Sequence, residues 1–211
     1  MTMSSEKENK DNKEKTLREK QKEGTRQRVF EAALTVFRKH GVRECRIEDI
    51  AKLAGVSRGT FYFHYPTRED VIIELLKTVE SGVVDALSEL PSTTPLIQVL
   101  ERLGDLLADR WQDDPVLLRE VVVTGLRLGL FEPTDRSSDH LREALTPRFH
   151  SAAQRGELQT KFHPDLVADM FLTNLMATLL AWSGMPDISL HSLLQALPSL
   201  FLYGMARPPE E

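Results

Sequence analysis

The sequence predicts an all-α protein in which a small N-terminal helical unit precedes a larger helical bundle. Three observations lead there. From residue 25 onward apolar residues recur at steps of three and four, no alternating strand pattern interrupts them, and Gly, Pro or Ser/Thr positions punctuate the chain into about nine segments.

Residues 1–24, "MTMSSEKENKDNKEKTLREKQKEG", alternate their charges and carry almost no large apolar residue, so a flexible charged arm is expected there. Thr25 reads as the N-cap of the first helix, whose apolar stripe is Val29, Ala32, Ala33, Val36 and Phe37 and whose end is Gly41. A short second helix turns Ile47, Ile50, Ala51 and Ala54 inward, and Gly55 makes the turn after it. Ser57 caps a third helix that stops near Pro66. Thr67 caps a fourth that reaches about Leu90, with Glu69 and Asp70 well placed in its first turn.

Later segments keep the helical period. Leu96, Leu100, Leu103, Leu107 and Trp111 share one stripe, and Pro115 opens the next helix at its first position. The segment from Ser137 to Leu158 is helical with Pro147 inside it, where a kink or break is expected. Two last helices, about 164–183 and 189–206, are apolar on more than one side. The stretch "LVADMFLTNLMATLLAWSGM" contains Asp169 and Asn174 and suits a bundle core better than a membrane span.

Charge is unevenly spread. The net charge of −5 divides into +1 over residues 1–24, +2 over 25–80 and −8 over 81–211, which leaves the early part free to approach a polyanion. The single cysteine, Cys45, excludes an intramolecular disulfide framework and fits a cytoplasmic protein. H-E-x-x-H, G-x-S-x-G, phosphate-loop and metal-spaced Cys/His patterns are absent, so no catalytic residue, metal or cofactor is expected.

The segment "SRGTFYFHY" asks where its aromatic residues point. At 100° per residue, Arg58, Gly59, Tyr62 and Phe63 fall within about 140° of arc, whereas Phe61 and Tyr65 face the second helix. A guanidinium, a bare glycine and two aromatics facing outward suit a DNA major groove. Arg58 would bond guanine, Gly59 would allow close approach and Phe63 would touch a thymine methyl. Thr60, Tyr62, His64 and Arg68 would reach phosphates.

The run "TRQRVFEAALTVFRKHGVRECRIEDIAKLAGVSRGTFYFHYPTREDV", residues 25–71, resembles the TetR family of transcriptional regulators. The resemblance implies a helix-turn-helix DNA-binding domain over 25–70 and a ligand-binding and dimerisation domain over 71–211. It implies DNA contacts from Thr25, Arg58, Gly59, Thr60, Tyr62, His64 and Arg68, the last standing where the family usually has lysine. Ser57 starts the recognition helix. Arg46 occupies a position where the family often has Ser or Thr; it loses that cap, about 1 kcal/mol, and is itself a candidate phosphate contact.

The resemblance also implies a homodimer on a palindromic operator, with half-sites about 34–36 Å apart. Leu172, Leu175, Met176, Leu179, Leu193, Leu197, Phe201 and Leu202 are the expected seam. A small-molecule effector, largely apolar, would lie among Trp111, Leu118, Val122, Phe131, Phe149, Met170 and Phe171, with Arg127, His150 and Asn174 as polar groups. A ligand-released repressor is the function implied. An effector-free regulator, an architectural protein and an activator are the alternatives.

Overall fold

The computed structural model describes residues 3–130, 140–158, 161–185 and 187–204, and the described residues form helices and loops without a strand. The chain divides into two compact units, Met1–Val71 and Ile72–Glu211.

The first unit holds α1 (Met3–Glu44), α2 (Ile47–Ala54) and α3 (Arg58–His64). Two expectations change here. α1 begins at Met3, so residues 3–24 continue the helix where the sequence suggests an arm, and Thr25 lies inside the helix instead of capping it. The stretch before Gly24 has no Gly or Pro and is rich in Glu, Lys, Arg and Gln, all good helix formers. Helical geometry breaks at Gly41 (φ 74°, ψ 163°). Val29, Ala33, Phe37, Val42, Ile50, Phe61 and Tyr65 make a closed core.

α2 ends in a Schellman motif. Gly55, at φ 68°, donates to the Lys52 carbonyl (3.3 Å), and Val56 donates to the Ala51 carbonyl (2.9 Å). Only a residue without a Cβ takes this left-handed conformation cheaply. The tight turn fixes how α3 leaves α2.

α4 (Glu69–Ser88) starts at the end of the first unit. The Thr67 amide and hydroxyl both donate to Asp70 Oδ2 at 2.7 Å, and the Asp70 amide donates back to Thr67 Oγ1 at 3.2 Å, a reciprocal capping box.

The second unit is built from α5 (Leu96–Trp111), α6 (Pro115–Arg127), α7 (His140–Gln154), α8 (Pro164–Trp182) and α9 (Leu190–Tyr203). α7 runs unbroken through Pro147, so the expected break is absent. α5 and α9 approach closely at Gly104, where a Cβ would sit 3.0 Å from the Leu194 carbonyl oxygen. α8 is long and apolar enough to cross a bilayer, yet its Val167, Phe171, Leu175, Leu179 and Trp182 are buried in the bundle.

Side chains distant in sequence close several helix ends. Arg148 donates to the carbonyls of Leu87 and Leu90 after α4, at 3.2 and 2.7 Å. Glu157 accepts from the first amide of α5, Leu96, at 2.8 Å. Gln112 Oε1 accepts from the Leu190 and His191 amides of α9, at 2.7 and 3.3 Å. Each satisfies groups that a helix cannot satisfy itself.

Candidate nucleic-acid interface and ligand cavity

Ser57 Oγ accepts from the Thr60 amide at 3.1 Å and shares a 2.9 Å hydrogen bond with the Thr60 hydroxyl, which sets the start of α3. From there Arg58, Gly59, Tyr62 and Phe63 face water, with Tyr62 45% and Phe63 68% exposed. Nothing but Ser57 Oγ lies within 4 Å of a Cβ built on Gly59, at 3.7 Å, so the face is open there. Phe61 and Tyr65 are buried, as their angular positions predict. Lys22 lies over the Phe63 ring (5.2 Å) and Arg26 over the Tyr65 ring (4.9 Å), bringing two α1 cations beside α3. Arg46 is exposed at the α2 N-cap without a side-chain cap.

Three expected DNA contacts are otherwise employed. The His64 ring is buried and packs edge-on against Phe63 at 5.1 Å, because its position on α3 faces the core side. Burial lowers its pKa, and the nearby charges of Arg26 and Lys22 lower it further, so the neutral ring is favoured. Arg68 donates to the carbonyls of Val42, Arg43 and Cys45 at 3.1, 2.6 and 3.1 Å, closing the end of α1 instead of reaching outward. Thr25 Oγ1 donates to the Gln21 carbonyl (2.9 Å) and accepts from Arg28 (3.3 Å), both within its own helix.

The second unit carries a partly open cavity of about 330 Å³. Trp111, Leu118 and Val122 line it as expected; α4 adds Leu76, Val79 and Val83, and α8 adds Leu172, Met176 and Leu179. The other expected lining residues lie elsewhere. Phe149 and Phe171 pack on each other at 6.1 Å in the solid core, and Phe201 meets Phe171 at 5.3 Å. Met170 is exposed, Arg127 is on the surface, and Asn174 donates to the Met170 carbonyl on the outer side of α8. His150 is paired with Asp165 away from the cavity, and Phe131 lies outside the described residues.

The polar groups at the cavity are Glu80, Thr173 and a bidentate pair, with Arg142 Nε and Nη2 donating to the two oxygens of Asp169 at 2.6 and 3.1 Å. Asp169 stands among apolar residues of α8, and that isolation was the available sequence signal for a group facing a partner or a cavity.

The expected seam also shifts. Leu175 and Leu179 are buried within the subunit, Leu172 and Met176 line the cavity, and Leu193, Leu197, Phe201 and Leu202 are half-buried. The face of α8 left open carries Leu166, Met170, Asn174, Ala177 and Ala181 at steps of three and four, and that of α9 carries Ala196, Leu200 and Tyr203.

An open Arg–Gly–Tyr–Phe face on a helix that follows a Schellman turn defines a helix-turn-helix DNA-binding module, here in a chain that also holds an apolar cavity. Residues 29–75 match the family described as bacterial regulatory proteins, tetR family. The HTH-type transcriptional regulator AcrR of Shigella flexneri is 38% identical over 69 residues, 33% of this chain and 31% of that protein. The fatty acid metabolism regulator protein of Bacillus subtilis is 31% identical over 70 residues, 33% of this chain and 36% of that protein. The chain thus covers about a third of the length of these curated relatives. Over nearly its full length it resembles the crystal structure of Thermus thermophilus FadR, a TetR-family transcriptional repressor in complex with lauroyl-CoA. The TM-score is 0.65 at 25% identity, covering 88% of this chain and 98% of that one. Residues 29–75 thus match the DNA-binding region of the tetR family, and over most of its length the chain has a fold similar to that of a TetR-family repressor.

Proposed function

We propose that the protein is a dimeric repressor that reads a palindromic operator through Arg58, Gly59, Tyr62 and Phe63 and is released when an apolar ligand fills the second unit. The observation that carries this reading is the open recognition face on α3, built in a chain that also carries a partly open, largely apolar cavity. Arg46, Ser57 and Thr60 flank the base-reading residues as phosphate contacts.

The open α8 and α9 faces give the homodimer seam, since exposed apolar stripes of this length are characteristic of interfaces. Two copies related by a two-fold axis match a palindrome. α4 supports coupling, because it carries cavity residues and begins in the unit that holds α3. Coupling of this kind is typically about 1–3 kcal/mol, a 5–150-fold change in operator affinity.

Fatty acyl chains are the ligand chemistry favoured, as free acids or thioesters. The cavity walls are mostly aliphatic, and the similar Thermus protein is in complex with lauroyl-CoA. Fluorescence anisotropy on a palindromic fragment from the protein's own promoter tests the reading. Binding should fall steeply with salt and weaken with long-chain acyl-CoA but not with acetyl-CoA. Salt-insensitive or absent binding would overturn it.

A further inference from the structure

His150, near the end of α7, and His163 and Asp165, at the start of α8, converge on one point of the second unit. His150 Nε2 lies 2.6 Å from Asp165 Oδ1, and His163 Nδ1 lies 3.4 Å from Asp165 Oδ2. The two imidazole rings meet edge to face at 5.3 Å, and one ligand atom from each of the three residues lies within 4.8 Å of the others. No part of the DNA-reading face or the cavity uses these groups.

We propose that these three residues form a binding site for a divalent transition-metal ion, zinc being the best fit. Two imidazoles and one carboxylate make a nitrogen-rich, borderline donor set of the kind that zinc, nickel, copper and cobalt prefer; calcium and magnesium favour oxygen. A tetrahedral ion with bonds of about 2.0–2.2 Å holds its ligand atoms about 3.3 Å apart. The three donors lie within 4.8 Å of one another, so small side-chain rotations would bring them to that spacing. His163 and Asp165 have side chains 68% and 45% exposed, so both can swing to close it, and the remaining coordination position faces water.

Charge around the site is compatible. Asp165 supplies a negative charge, held by its hydrogen bond from His150 well into the ionised form. Arg142, whose charge also acts on Asp165, is itself held in a bidentate contact with Asp169. A hydrogen-bonded cluster this exposed adds little stability on its own, and a shared ion gives the convergence a purpose. The ion would tie the end of α7 to the start of α8. Arg142 lies eight residues earlier on α7 and Asp169 four later on α8, both at the cavity edge, so the tie would stiffen that wall.

The test uses the full chain without a polyhistidine tag, stripped with chelator and titrated with zinc chloride by calorimetry and with cobalt chloride by visible absorption. The expected result is one ion per chain, with the intense visible bands of four-coordinate cobalt. His150→Ala, His163→Ala and Asp165→Asn should each weaken binding at least tenfold, about the loss already caused by outer-shell changes. A His40→Ala/His191→Ala variant should bind like the parent. All variants should keep the metal-free circular dichroism spectrum, since the altered side chains are solvent-accessible. Absence of stoichiometric uptake by the parent, or uptake that survives His150→Ala/His163→Ala, overturns the site. Neither result bears on operator binding.

Discussion

Glu48 on α2 and Arg58 on α3 form a 2.9 Å ion pair across the helix-turn-helix, so the recognition arginine is held by an acid of its own domain. The Arg58 and Glu48 side chains are 61% and 54% exposed, and such pairs contribute little to stability. Their effect falls on DNA, because Glu48 competes with the groove for the guanidinium. Glu48→Gln should leave stability nearly unchanged and tighten operator binding several-fold in anisotropy titrations. Arg58→Ala should cost about 1–3 kcal/mol and relax sequence preference at one base position.

Arg68 closes the end of α1 through three backbone carbonyls. Arg68→Ala should destabilise the first unit by about 1–3 kcal/mol, the range for hydrogen bonds to charged groups. All three carbonyls accept from the one Nη1 nitrogen, and a lysine ammonium also carries three N–H donors, so Arg68→Lys should recover much of this if its shorter, differently shaped side chain reaches the same point. Urea unfolding followed by circular dichroism measures both.

His64 gives the first unit a pH dependence. Its folded-state pKa is below the ordinary 6.5, so the unfolded chain takes up the proton first. The contribution is fully present above about pH 6.5 and is lost as pH falls through the lowered folded value. The loss attributable to Glu157 and Asp165 comes later in acid, below their ordinary 4.5 and 3.8. Stability measured from pH 7.5 to 5 should therefore decline, and His64→Gln should flatten that decline.

Val122 lines the cavity and is almost fully buried. Val122→Phe should fill part of the space the ligand needs, at a stability cost of no more than about 1–3 kcal/mol. Operator binding should persist while long-chain acyl-CoA loses its effect. Release that continues unchanged would place the ligand elsewhere.

Ala177 and Leu200 mark the open faces of α8 and α9. For the proposed dimer, Leu200→Glu should give monomer in sedimentation velocity and reduce operator affinity by at least about tenfold, because a monomer reads one half-site; Ala177 also lines the cavity, so Ala177→Glu should in addition weaken the ligand response. The metal-free fold should be unaffected, since neither side chain is buried.

Local signals in the sequence carried much of the fold. Ser57, Thr67, Gly55 and Pro115 each act within a few residues, and all are found at the turns and helix starts where they were expected. The rotation of Arg58, Tyr62, Phe61 and Tyr65 on α3 was legible for the same reason. His64, Arg68 and Thr25 were not, because their hydrogen bonds and burial depend on tertiary neighbours or on a helix extending further back. The same limit applies to the cavity. Phe149 and Phe171 have the size and apolarity of lining residues, but only packing decides which side of a helix meets empty space.

Arg148, Glu157 and Gln112 each close the end of a helix 58 to 79 residues away along the chain. A fragment cut between α5 and α7 would therefore carry helix ends whose partners lie on the other piece. Protease nicking or truncation within the second unit should dismantle it as a whole, so a minimal version of this regulator that keeps only some of those helices is not a realistic engineering goal.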